Sequence, residues 1–265
     1  MSRAALPLAT GLRSVGRRTR ADRAEAAAHW RAAAPSLAIA TLAIAVSLPL
    51  MGSGSNLSPD SFAYLTAARS LYETGHLPPE RMVTPPGLPL LLAPLMALGE
   101  VPTLAFRLLA AVCLAATAVM TWRLFRRGIG GRAAFAAAIL VALSGPLLNQ
   151  STFLLSEIVF APIALSCLLV AARWHTGQAA SKWELFLAGL LAAFASLVRS
   201  AGLVLAPVML WGCMTNASLP RRRKIIALGL LTAGFCIPQA AWSIRQRAYP
   251  EAYGYGTIWT TPRVV

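Results

Sequence analysis

The sequence predicts an all-α polytopic membrane protein, with about seven transmembrane helices and two further helices lying in the outer interface. Three observations predict it. The 265-residue chain is 57% hydrophobic and 12% charged, with a mean hydropathy of +0.62; soluble domains carry about 25% charged residues. Its apolar runs approach the roughly 20 residues that a membrane helix needs, and arginine clusters recur between them. One long segment, 52–100, is neither a span nor a basic loop.

The net charge of +15 would suggest a nucleic-acid partner in a soluble protein. No nucleic-acid-binding module accompanies it. Arginines at the cytoplasmic ends of membrane helices account for it better. Cys113, Cys167, Cys213 and Cys236 all fall in apolar stretches. They have neither metal-ligand spacing nor a disulfide pattern, and read as small buried hydrophobes.

Residues 1–32 form a basic cytoplasmic tail, and Ala33 to Met51 is the first span. The apolar run is long enough to cross, which argues against a cleaved signal peptide. The outer loop follows. Ser58 is a good N-cap and Pro59 suits the first helical turn. Gly75 is a good stop, with Pro78 just beyond. A helix of about four turns is therefore expected from Pro59 to Thr74. Asp60 falls in its first turn, where the helix dipole favours a carboxylate. Tyr64, four residues on, shares its face. A second short helix is expected from Pro85-Pro86-Gly87 to Gly99.

The second span runs from about Val101 to Trp122 and ends in Arg123, Arg126, Arg127 and Arg132. The glycines of that turn do not make a phosphate loop, which needs a lysine and a preceding strand. The third span is about Ala133 to Leu148, with Asn149 to Thr152 as a polar outer turn. The fourth, about Phe153 to Ala172, returns to Arg173, His175 and Lys182. The fifth (Trp183 to Val198) and sixth (Ala201 to Met214) are short and meet at Arg199-Ser200. They can equally be read as one bent or re-entrant element. Arg221 to Lys224 is the next basic loop, and the seventh span is about Ile225 to Trp242. A polar, aromatic outer segment follows. A cytoplasmic N-terminus makes every inner segment basic, as the positive-inside rule requires. It also places Asp60, Glu73, Glu80, Glu100, Glu157 and Glu251 on or near the outer side. The expected location is the inner (plasma) membrane.

Several polar residues are candidates for chemistry. Asp60 is either a helix-cap charge or a catalytic carboxylate. Glu157 lies about one turn inside the fourth span, where an insertion cost of about 2.5–3.5 kcal/mol demands a partner or water. It either lines a cavity with Asp60 or pairs with Arg107 or Arg199. Arg199 and Arg245 are candidates for phosphate, which suits a guanidinium; the alternative is snorkelling to the interface. His76 is a loop histidine with a functional alternative. Tyr64 is an interface anchor or a substrate contact. No His/Asp/Glu group has convincing metal spacing. A divalent metal held jointly by Asp60, Glu157 and a phosphate stays open.

The ordered set of features is similar to a known family. It comprises an outer Asp-x-x-x-Tyr helix, Gly-His, Pro-Pro-Gly and a second span with an early arginine. An Arg-Arg turn, Leu-Leu-Ser-Glu, Val-Arg-Ser-Ala-Gly-Leu and Trp-Ser-Ile-Arg follow. This resembles the GT-C superfamily of integral-membrane glycosyltransferases, in particular the protein mannosyltransferase and aminoarabinose transferase group. The resemblance covers Pro35 to Arg245, the N-terminal seven-span core. Relatives often carry an acidic pair where this chain has Asp60-Ser61. Aminoarabinose-transferase-like enzymes have a charged residue where Thr84 precedes Pro-Pro.

The resemblance implies transfer of a sugar, with inversion, from a polyprenyl-phosphate donor to a lipid, glycan or protein acceptor on the extracytoplasmic face. Asp60 would be the general base. Glu157 would line the cavity, and Arg199 and Arg245 would hold the donor phosphate. The expected division is a tail (1–32), a transmembrane core (33–245, with outer loop 52–100) and an outer segment (246–265). Two rival readings are a catalytically inactive or truncated subunit that binds a lipid or an enzyme partner, and a transporter.

Overall fold

The computed structural model describes residues 30, 33–50, 58–78, 85–99, 103–153, 155–178 and 180–248. Every element among them is helical. Most of the N-terminal tail, Thr84 and residues 249–265 lie outside them.

Helix α1 (Ala33–Leu50) is an apolar span. Helix α2 (Pro59–Thr74) has the predicted bounds, and local chemistry fixes both ends. The Ser58 hydroxyl accepts from the Ser61 N–H, and Gly75 closes the helix at φ 71° with its N–H on the Leu71 carbonyl. Helix α3 (Gly87–Leu92) passes into a 3-10 segment (Ala93–Leu98) that stops at Gly99, also as expected. Helix α4 (Thr103–Phe125) is the long central span. Its Thr117 and Thr121 hydroxyls donate to carbonyls four residues back, so neither brings an unpaired polar group into the core.

Helices α5 (Gly131–Ala142) and α6 (Gly145–Thr152) meet at a bend of 42°. This corrects the expected polar turn at Asn149 to Thr152, which is helical. Pro146 restarts the helix from its first turn. The Ser151 and Thr152 hydroxyls then bond back to Leu148 and Asn149 carbonyls, satisfying themselves within it. Helix α7 (Ser156–His175) follows. Helix α8 (Lys182–Val198) opens on a full capping box between Ser181 and Glu184.

A 3-10 turn (Ser200–Val204) leads into α9 (Leu205–Met214). The two readings of this region separate here. Gly202 lies against the Ala195–Ser196 backbone, so the chain doubles back along α8. The far end of α9 then reaches the far end of α7, where His175 Nδ1 and Thr215 Oγ1 are 2.9 Å apart. Residues 182–214 are thus a helical hairpin rather than one bent element. Each leg is about 25 Å long. Helix α10 (Arg221–Ala248) is longer than expected and includes Arg245 and Arg247 in its last turn. Cations there face the negative end of the helix dipole, which lets the helix continue into a polar sequence.

By length and composition, four helices can cross a membrane: α1, α4, α7 and α10. The bent pair α5–α6 raises this to five. Helix α7 joins two apolar clusters. Its Ile158 and Val159 pack with α1 to α5, and its Cys167, Ala171 and Trp174 pack with α8 to α10. Helices α8 and α10 cross at Gly189 and Gly234, where any Cβ would overlap the facing backbone. Small residues at such a crossing let two backbones approach. Gly189→Leu is expected to destabilise the protein by about 2–3 kcal/mol, read as a lower Tm in detergent. Gly229→Leu, on the same α10 with nothing within 4 Å of its Cβ direction, is expected to leave Tm unchanged.

Candidate active site at the α2 end of the bundle

The bundle has two chemically different ends. The basic end carries the Arg123–Arg132 turn, the α7–α8 loop and Arg221 to Lys224. At the opposite end α2 lies across the helix tips. The buried Ser61 hydroxyl donates to the Phe153 carbonyl at the α6–α7 junction. From the other end of α2, Leu77 offers its carbonyl to Arg245 Nη2 at 2.8 Å. Helix α2 thus bridges the start of α7 and the end of α10. The α3 start fills the space alongside. A Cβ at Gly87 would lie 2.5 Å from the Val198 nitrogen, so only glycine lets the Pro-Pro-Gly turn sit against the residue preceding Arg199.

The Ser61–Phe153 bond brings the first turn of α2, which carries Asp60, to the residue four before Glu157. Asp60 is exposed in the first turn. Glu157, in the first turn of α7, pairs with Arg199, Oε1 to Nη1 at 2.5 Å. Of the two arginines expected as its partner, Arg199 is the one it meets. Ser156 sits between them, its hydroxyl donating to Glu157 Oε2 at 3.3 Å and accepting from Arg199 Nη1 at 3.5 Å. Among the described residues both Arg199 contacts use Nη1, which leaves Nε and Nη2 for another acceptor. The guanidinium side chain is 41% exposed, so the pair adds little to stability and Arg199 stays reachable. Among the described residues, the buried Arg107 Nη2 and Gln150 Oε1 at this end have no hydrogen-bond partner. Buried polar groups are normally paired.

The other predicted residues are placed differently. Tyr64, one turn beyond Asp60, is buried in the apolar cluster with Leu88 and Leu92. His76 is exposed, its backbone held by Ser70 and Thr74 hydroxyls. His76 and Arg245 lie at the far end of α2, about 24 Å from Asp60 by helix rise. No group of three or more His, Cys, Asp or Glu among the described residues is placed to hold a metal ion.

Sequence reasoning passed over Ser61 and Ser156. Both stand beside a residue that was weighed, and Leu-Leu-Ser-Glu already contained the second.

The family model for dolichyl-phosphate-mannose-protein mannosyltransferases matches residues 83–242. The chain belongs to this family. Membership identifies a membrane glycosyltransferase type of protein. The matched stretch runs from the approach to α3 into α10 and contains Glu157 and Arg199. Asp60, Tyr64 and His76 precede it, and Arg245 follows it. Neither a curated protein nor a solved structure matches the chain.

Proposed function

We propose that the chain transfers a sugar from a polyprenyl-phosphate-linked donor to an acceptor hydroxyl at the outer face of a membrane, with inversion. The observation that carries this reading is the Glu157–Arg199 pair, set at the end of the bundle onto which the Asp60 turn docks. In the proposed step the acceptor oxygen attacks the anomeric carbon as the carbon–oxygen bond to phosphate breaks. Asp60 takes the acceptor proton. The bond's electron pair leaves with the polyprenyl phosphate, whose charge Arg199 meets through its free edge. Glu157 and Ser156 fix the guanidinium by holding Nη1. The unpaired Arg107 and Gln150 atoms fit a polar substrate at this end.

His76 and Arg245 have a separate role in this reading, holding a more distant part of a long donor or acceptor. Tyr64 seats α2 beneath the substrate. The membrane arrangement is seven crossings: α1, α4, α5–α6, α7, the two legs of the hairpin, and α10. Residues 33–245 are the core, and 1–32 and 246–265 flank it on opposite sides. The basic end faces the cytoplasm, in an inner (plasma) membrane.

A second reading is a subunit that binds donor lipid without transferring sugar. The start of the family match at residue 83, beyond Asp60, favours it. Sugar transfer from a panel of polyprenyl-phosphate sugars, with the chain in membranes, separates the two. Transfer from at least one donor is the expected result. Donor binding with no transfer would select the second reading, and neither binding nor transfer would overturn both.

A further inference from the structure

The basic end holds a cavity of about 360 Å³ between the ends of α7 and α9 and the starts of α8 and α10. It falls in the roughly 300–1,000 Å³ range of ligand pockets. Trp174, Leu185, Cys213 and Ala227 line it and are buried. Lys182 and Arg223 line it and are exposed. The floor is therefore apolar and the rim cationic.

Of the neighbouring cations that do not line the cavity, Lys224 and Arg173 are already engaged, whereas Arg221 and Arg222 are exposed on the same α10 start. Lys224 Nζ donates to the Met214 carbonyl at 2.7 Å, and Arg173 Nε to Gln178 at 2.8 Å. Glu184, the acid beside the rim, accepts from the Ser181 N–H at 2.7 Å within the capping box. Lys182 and Arg223 have no acceptor among the described residues. Two unneutralised cations above an apolar pocket, where helices leave the membrane, match one chemistry: an anionic headgroup continued by an acyl chain.

We propose that this cavity binds an anionic phospholipid, its phosphate between Lys182 and Arg223 and its first methylenes over Leu185 and Ala227. The site is at the opposite end of the bundle from Asp60 and does not depend on the glycosyltransferase reading. The test is native mass spectrometry of the full chain from nanodiscs of phosphatidylglycerol and phosphatidylcholine. Wild type is expected to retain phosphatidylglycerol. Lys182→Gln/Arg223→Gln is expected to lose it roughly 25-fold, two charges at about fivefold each. Arg126→Gln/Arg127→Gln removes the same charge from the neighbouring turn and is expected to change retention little. Equal loss in both pairs would reduce the effect to the general basic belt and overturn the site. So would no loss in the first pair. Inorganic phosphate is expected not to displace the lipid; full displacement would assign the rim to a free anion and overturn the lipid.

Discussion

Asp60→Asn is expected to lower sugar transfer by about a hundred- to ten-thousand-fold, the range for loss of a positioned general base. Donor binding is expected to stay as in wild type. The substitution preserves size and hydrogen-bonding capacity while removing the proton acceptor. It also leaves the local fold alone. Asp60 is exposed, and the cap at this terminus is made by Ser58 and Ser61. The control is Glu73→Gln on the same helix, where the carboxylate pairs with Arg69 on the exposed face; transfer is expected to be unchanged. Equal transfer by wild type and Asp60→Asn would remove Asp60 from the mechanism.

Arg199→Gln is the second large effect. Loss of a charge that meets a developing anion costs about a hundred- to a thousand-fold in rate, so kcat is expected to fall by that order. Glu157→Gln is expected to cost about tenfold, because Ser156 still holds the guanidinium. The double variant is expected to be no slower than Arg199→Gln alone, since Glu157 acts through Arg199. Such non-additivity is the signature of residues working as one unit. Additive losses would assign Glu157 its own contact with substrate. Equal, large losses in both single variants with a lower Tm would instead point to a purely structural pair.

The parts of the fold that were legible in the sequence are those fixed by local chemistry. Ser58, Pro59 and Gly75 set both ends of α2 because a cap acts within one turn. The α8–α9 hairpin was ambiguous because neither leg reaches the length of a usual span, and a bent element would give the same apolar pattern. Only tertiary contacts, Gly202 on α8 and His175 beside Thr215, distinguish the two. The helical character of Asn149 to Thr152 was hidden for a different reason. Polarity marks a turn unless the side chains bond back to their own helix, which sequence does not display. The site shows the same limit. Glu157 and Arg199 stood out as charges in costly places and Asp60 as a carboxylate at a helix start, but the choice between Arg199 and Arg107 as partner depends on packing. So does the position of Arg245 at the far end of α2, which its bond to the Leu77 carbonyl sets; the distance of His76 from Asp60 follows from the length of α2 alone.

The central claim, single displacement at a carboxylate-assisted site, is tested most directly by stereochemistry. The measurement is the anomeric configuration of the product formed by the purified chain from a donor of defined configuration. Inversion is the predicted result, since the acceptor attacks opposite the leaving phosphate. Retention would contradict the account, because it requires either two successive displacements or attack from the face of the leaving phosphate, and neither is single displacement by a base-activated acceptor.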